Sequence, residues 1–296
     1  SISHVVILPP TDKYRYGAPS VTPDNSYVDV VRFQPRTRER SLIRVPFLGG
    51  PPRLIAEVVS SGVGWPPDGR YMAFVKFQEQ GLGTRLFVAD ADGRNERLLY
   101  ERKGDTDFIG MMLFTGFPPA RPAWSPDGRW IAVAGANIKP ERSDSGGEIL
   151  ELNAESGDLR PIKYLDGFVT ELAYRSDDEL VASIRHRNDP VQWWLYPREG
   201  PPVQLTRDLS DVADIQLTAD RTTGVATRTS RRTSIVMVPT AGGAVTEAIA
   251  ESPAEPYEVK VDQAAALFYS ARVPDGFAAL RSEAVLPGHL DAEGAQ

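Results

Sequence analysis

Apolar residues along the chain gather in short runs that would fill both faces of a β-strand: RYMAFVKF at 70–77, RWIAVA at 129–134, ELVASIR at 179–185 and AAALFYS at 264–270. A strand pressed between two sheets has no solvent side, so a nearly continuous apolar run is the pattern it needs. Each run follows a turn that contains aspartate. The turns read VTPDN at 21–25, WPPDG at 65–69, WSPDG at 124–128, YRSDD at 174–178, LTADR at 217–221 and VKVDQ at 259–263. In Ser125-Pro-Asp-Gly128 the fixed φ of proline suits the second position of a type I turn, and aspartate and glycine suit the next two. The motif therefore predicts a hairpin connector. Its aspartates, at 24, 68, 127, 177, 220 and 262, recur at intervals of 44, 59, 50, 43 and 42 residues.

About ten residues after each run comes a second β-rich stretch: SLIRVPF at 41–47, RLFVAD at 85–90, EILEL at 148–152, VQWWLY at 191–196 and TSIVMV at 233–238. A glycine-containing turn and a short further run follow, such as RLI at 53–55 or ERLLY at 96–100. Four strands per repeat, repeated six times, predict an all-β, six-bladed β-propeller of four-stranded antiparallel blades. The blades are expected near 16–57, 60–101, 120–165, 168–207, 212–250 and 256–284, as one domain over 1–284 with a flexible tail at 285–296. The apolar run from His4 to Leu8 precedes the first blade and is the expected closing strand of the last one, which would leave no open sheet edge.

Composition supports a turn-rich chain. The 25 Gly and 25 Pro among 296 residues exceed ordinary usage and supply punctuation for many short elements. With no cysteine, disulfides, thiolate catalysis and Cys-ligated zinc are excluded. Only three histidines are present, at 4, 186 and 289, which leaves little for a histidine-rich metal site. The net charge of −7 opposes phosphate affinity, so no nucleic-acid partner is expected. The opening SISHVVILPP lacks the basic and long apolar regions of a signal peptide. A processed chain or an excised domain is expected, with any targeting or anchoring segment lying outside it, and no membrane contact is expected from the chain itself.

The sequence contains no G-x-S-x-G, G-x-x-x-x-G-K, H-E-x-x-H or complete G-x-G-x-x-G. Gly62-Val-Gly64 and Gly81-Leu-Gly83 read as turns. The Asp90-Ala-Asp92-Gly93 stretch resembles a cation loop but lacks EF-hand spacing, so a β-turn is the better reading. His186, between Arg185 and Arg187, reads as a solvated loop residue. Trp193 and Trp194 would offer a stacking platform, but adjacent strand residues point to opposite faces, so packing between blades is expected. No catalytic residue, metal or cofactor is therefore expected.

In a four-stranded meander, the loops between second and third strands and the connections between blades emerge on one side. That side carries Arg36, Arg38 and Arg40, then Lys139 and Arg142, Arg185 and Arg187, and Arg228, Arg231 and Arg232. It predicts a basic rim on an acidic protein. The longest insertion, 104–120, belongs to the same side and contributes Phe108, Met111, Met112, Phe114 and Phe117. So many apolar side chains in a connection either plug the channel or meet a partner. The candidate partner-binding face is thus Phe108, Met111, Met112, Phe114, Phe117, Arg36, Arg38, Arg142, Arg187, Arg231 and Arg232.

SLIRVPFLGGPPRLI at 41–55, PAWSPDGRWIA at 122–132 and DLSD at 208–211 followed by LTAD at 217–220 resemble the TolB-like propeller repeats of bacteria. They are similar in particular to the C-terminal propellers of receptor-type bacterial Ser/Thr protein kinases. The resemblance implies a non-enzymatic sensor or protein-interaction propeller. It would be the periplasmic or extracellular part of a larger protein, a monomer binding a protein, peptide or envelope ligand. The chain has no HRD or DFG, so no kinase residue is carried over. The competing expectation is a propeller enzyme of lyase or lactonase type acting on a small molecule in the central channel.

Overall fold

The apolar runs at 70–77, 129–134 and 179–185 become strands of three consecutive antiparallel sheets. A computed structural model describes residues 6–77, 83–103, 106–108, 120–137, 146–186, 189–229, 233–237, 244, 246–252, 255–261, 267–273 and 276–282. Among these, no helix is long and apolar enough to cross a membrane.

Blade one is the meander β1 (Arg15–Val21), β2 (Tyr27–Phe33), β3 (Arg40–Pro46) and β4 (Arg53–Glu57). Blade two contains β5 (Tyr71–Phe77), β6 (Gly83–Asp90) and β7 (Arg97–Lys103). The chain entering it bridges β5 at Val59 with Lys76 and at Gly64 with Ala73. In blade three, β8 (Thr106–Phe108) and β9 (Ala123–Trp124) both pair with β10 (Trp130–Asn137), which is followed by β11 (Gly147–Asn153) and β12 (Lys163–Leu165). Blade four is β13 (Phe168–Ser176), β14 (Glu179–Arg185), β15 (Gln192–Pro197) and β16 (Val203–Gln204).

The period-two alternation of a strand explains why these runs are apolar throughout. Met72 and Phe74 of β5 pack with Val31, Leu42 and Val63 on the blade-one side. Their neighbours Ala73 and Val75 pack with Trp124, Ile131 and Val133 on the blade-three side. The scheme repeats on β10, where Ile131 and Val133 face blade two while Ala132 and Ala134 join Val169, Leu172 and Leu180 of blade four. The core is therefore a series of interblade layers.

Four of the aspartate turns share one hydrogen-bond scheme. Backbone N–H groups of Asn25, Gly69, Gly128 and Arg221 donate to the carbonyls of Thr22, Pro66, Ser125 and Thr218, at 2.8, 3.1, 2.9 and 2.8 Å. All four donors are left-handed, with φ of 58°, 65°, 69° and 58°. Glycine and asparagine tolerate that region, whereas Arg221 is held there by the turn. A second feature is a hydroxyl two residues before the aspartate. The Ser125 hydroxyl donates to Asp127 at 2.6 Å and accepts the Trp130 N–H at 2.9 Å; Thr22 does the same with Asp24 and Tyr27. Ser125 is fully buried. Ser125→Ala is expected to lower stability by about 1–3 kcal/mol, because it strands a buried N–H; urea unfolding measures this, and no change would show the hydroxyl to be dispensable.

Two parts of the expected architecture are corrected. The propeller has four blades rather than six. The LTADR turn joins β17 (Asp211–Leu217) to β18 (Gly224–Thr229), but those two strands form a sheet of their own. The reason lies in β18: it is exposed at every position, with Val225 at 63%, so it lacks the two apolar faces that sandwich β5, β10 and β14. An aspartate turn marks a hairpin, not a complete blade. The chain divides into two compact units, Ser1–Arg228 and Thr229–Gln296. In the second, β19 (Thr233–Met237) pairs with β20 (Thr246–Ser252), and β21 (Glu255–Val261), β22 (Leu267–Val273) and β23 (Gly276–Ser282) form a three-stranded sheet.

The closing strand is the second correction. Residues 6–8 belong to no strand, and Ile7 and Leu8 pack on Val28, Val30, Ile43 and Val45 of blade one. Their apolar side chains are satisfied by the nearest uncovered sheet face, on the neighbouring segment of chain. His4, Val5 and the expected tail at 285–296 lie outside the described residues.

Candidate functional site

The β2–β3 hairpin turns through Gln34–Glu39, closed by the Arg38 N–H on the Gln34 carbonyl at 2.8 Å and the Gln34 N–H on the Glu39 carbonyl at 2.9 Å. Beside it lies a cleft of about 990 Å³ between blades one and two. Its lining takes Arg32, Phe33, Arg38, Glu39 and Arg40 from β2, β3 and their hairpin, Leu54, Glu57, Val58, Ser60 and Phe77 from β4, β5 and the segment between them, and Tyr14. Two arginines are laid on rings: Arg32 over Tyr14 at 4.6 Å and Arg40 over Phe33 at 5.2 Å. Arg32 also donates from Nε to the Ser41 hydroxyl at 3.1 Å. These contacts orient the guanidinium planes. The Tyr14 hydroxyl, hydrogen-bonded to Lys13 and near Arg32, is held below the ordinary phenol range.

Val58 is the unusual residue of this cleft. Its φ is 61° and its side chain is half exposed, while the next residue, Val59, is completely buried. The left-handed region is disfavoured for L-residues by roughly 1–2 kcal/mol, and a β-branched residue there is an outlier. The surroundings hold it: Val58 N–H donates to the Arg40 carbonyl at 2.8 Å, and Val59 bridges Lys76. Strain of this kind collects at ligand sites.

The expected basic rim contracts to blade one among the described residues. Arg36 is exposed on the β2–β3 hairpin outside the cleft lining, and Arg38 and Arg40 line the cleft. Arg185 is paired with Asp211 at 3.0 Å and Arg228 with Asp208 at 3.0 Å, so neither offers unopposed charge. Phe108 ends β8, its backbone paired with Gly135. Met111, Met112, Phe114, Phe117, Lys139, Arg142, Arg187, Arg231 and Arg232 lie outside the described residues.

Other readings change in detail. His186 is half-buried, hydrogen-bonded through Nδ1 to the Asp166 carbonyl and edge-on to Trp194 at 5.3 Å, so it is not a solvated loop residue. Trp193 is buried with Val181 and Ile215, and Trp194 packs on the layer between blades three and four. Asp90 and Asp92 are engaged in their own turn, by the Asn95 amide at 2.7 Å and the Arg94 N–H at 3.1 Å. Among the described residues, no group of three or more His, Asp or Glu is placed to hold a metal.

A polar cluster between the inner segments escaped the sequence reading. Arg121 pairs with Glu171 of β13 at 2.8 Å and donates to the Ile215 carbonyl of β17 at 2.7 Å. Burial pushes the Glu171 carboxyl up to about 7; Arg121 opposes the rise and Asp214 adds to it. The sign follows from linkage: the unfolded chain loses this proton near the ordinary glutamate range, the folded chain only near 7. Stability is therefore fully present below about pH 4.5 and declines as pH rises toward 7. Glu171→Gln is expected to flatten that decline, as read by urea unfolding at pH 5 and pH 8; an unchanged difference between the two pH values would contradict it. The one available signal was a glutamate inside the otherwise strand-like FVTELAYRS, with its partner 50 residues away.

No protein-family model matches the chain, and no curated protein matches it in sequence. Solved structures do. An acylaminoacyl peptidase from Pyrococcus horikoshii is 13% identical, with 91% of this chain and 45% of that one covered at a TM-score of 0.51. An oligogalacturonate lyase from Vibrio parahaemolyticus is 9% identical, with 88% and 75% covered at 0.52. The shared feature is the propeller fold. TolB from Acinetobacter baumannii is also among the structural neighbours, at 15% identity, 92% and 55% coverage and a TM-score of 0.47. The chain spans about half the length of the TolB and peptidase structures. At such identities the likeness speaks to fold alone.

Proposed function

We propose that the propeller is a non-enzymatic binding module that receives a protein or peptide ligand in the cleft between blades one and two. One observation carries this reading: a cleft of about 990 Å³ in which oriented arginines, exposed apolar side chains and a strained Val58 converge. The resemblance of the repeats to kinase-associated propellers supports a finer version, in which the module is the extracytoplasmic sensor of a larger bacterial protein. Immobilised protein and its Arg38→Glu variant, exposed to the same extracytoplasmic extract, test the reading. Capture of a partner by the parent chain and loss of that partner by the variant is expected. Identical capture by both would overturn the cleft as the site.

A further inference from the structure

We infer that the β17–β18 hairpin is held on blade four by a proton-operated latch, in which Glu171 must carry its proton for the hairpin to stay seated. Side chains alternate between the faces of β13, and Ala173, two residues beyond Glu171, packs with Ile215 of β17. Glu171 therefore lies on the face that the hairpin covers. Its side chain is only 14% exposed, and the Arg121 guanidinium that meets it at 2.8 Å also donates to the Ile215 carbonyl at 2.7 Å. One cation thus joins the carboxyl to the hairpin. A protonated carboxyl still accepts from Arg121 through its carbonyl oxygen. The residue before the Ile215 carbonyl is Asp214, left-handed at φ 57° with an exposed side chain, and its charge opposes a negative charge on Glu171. On β14, Ser183 stands opposite Glu171, Val181 packs on Ile215, and Arg185 is paired with Asp211 of β17 at 3.0 Å.

The hairpin is lightly held. Within its two strands Ile215 alone is buried, and β18 is exposed throughout. Elements with so little buried apolar surface open locally at the low end of the free-energy range. Its polar ties include the Val212 N–H on the Val191 carbonyl at 2.8 Å and Arg221 on the Tyr174 carbonyl at 2.5 Å. When the hairpin lifts, water reaches Glu171. The carboxyl that keeps its proton up to about 7 under cover then returns toward the ordinary glutamate range near 4.5. Opening therefore releases a proton. Its equilibrium grows between about pH 4.5 and about pH 7 and levels off above, so the latch is closed in acid and loosened at neutral pH.

Hydrogen exchange of the full chain, followed by mass spectrometry at pH 5 and pH 8 and corrected for the intrinsic pH dependence of exchange, tests the latch. Residues 211–229 are expected to exchange through an opening more frequent than that of β5 at both pH values. Their opening constant should rise at least about tenfold from pH 5 to pH 8, the factor that displacing an ionisation by one pH unit supplies. Glu171→Gln, neutral at both pH values, should remove the rise. Asp214→Asn, a change at an exposed side chain, should shrink it by letting Glu171 ionise at lower pH under cover. No rise in the parent chain, or a rise that survives Glu171→Gln, would overturn the latch. A single opening constant shared by residues 211–229 and β5 would overturn it as well, because Glu171 would then act on the whole fold and not on the hairpin. An undiminished rise in Asp214→Asn would remove Asp214 from the device.

Discussion

Replacing Gly64 by alanine is expected to destabilise the propeller by more than about 4 kcal/mol, a loss seen only when a packed structure has no way to yield. A Cβ at this position would lie 1.9 Å from the Pro122 carbonyl oxygen and 2.8 Å from its carbon. Both are backbone atoms, so no rotamer change relieves the clash. Displacing Gly64 is equally costly. Its N–H and carbonyl are both engaged with Ala73, each at 2.9 Å, and the same carbonyl accepts the Trp124 indole N–H at 3.1 Å. Any shift therefore loosens the entry to blade two and its contact with blade three together. At roughly 2–4 °C per kcal/mol for a chain of this size, the melting temperature should fall by about 10 °C or more. Gly128→Ala is the control: its φ is 69°, but nothing lies within 4 Å of the added carbon, so only local strain of about 1 kcal/mol is expected. If Gly64→Ala melted no lower than Gly128→Ala, the close approach of blades two and three at Pro122 would be wrong.

Gly64 also shows where sequence reasoning stops. The pair Gly62 and Gly64 looks like turn punctuation, whereas Gly64 is a contact between two backbones distant in sequence, which no local pattern encodes. The middle strands were legible because burial on both faces leaves a local signature, as in the match of ELVASIR with β14. Blade number was not. It depends on whether a hairpin finds apolar neighbours on both sides, and the turn preceding β18 resembles its counterparts although β18 itself does not. The cleft was half visible: topology placed Arg38 and Arg40 on one side of the propeller. Tyr14 joins them by lying under Arg32, Val58 by its hydrogen bond to the Arg40 carbonyl, and Phe77 by the packing of blade two on blade one. Charged residues in strand centres, such as Glu171 and Asp29, were visible as exceptions to the apolar pattern, but their partners were not.

The second large effect is expected at one of those exceptions. Asp29 and Arg44 stand directly opposite each other on β2 and β3, with Nε and Nη2 of the arginine on the two carboxylate oxygens at 2.7 and 2.9 Å. The Asp29 side chain is fully buried, and Arg44 also donates to the Ala91 carbonyl of blade two at 2.7 Å. Burial pushes the Asp29 carboxyl above its ordinary range, against the pull of Arg44. Arg44→Met would leave that carboxylate buried without its cation, a loss of about 3–5 kcal/mol, whereas Asp29→Leu combined with Arg44→Met should recover most of it. Without the arginine, the folded chain holds the Asp29 proton to higher pH than the unfolded chain does. Stability of the single variant should therefore fall as pH rises, and its deficit should be smaller at pH 5 than at pH 7. Urea unfolding of both variants at the two pH values measures this. If the double variant lost as much as the single one at pH 7, the pair would be acting through its tie to Ala91 and its packing rather than through charge compensation.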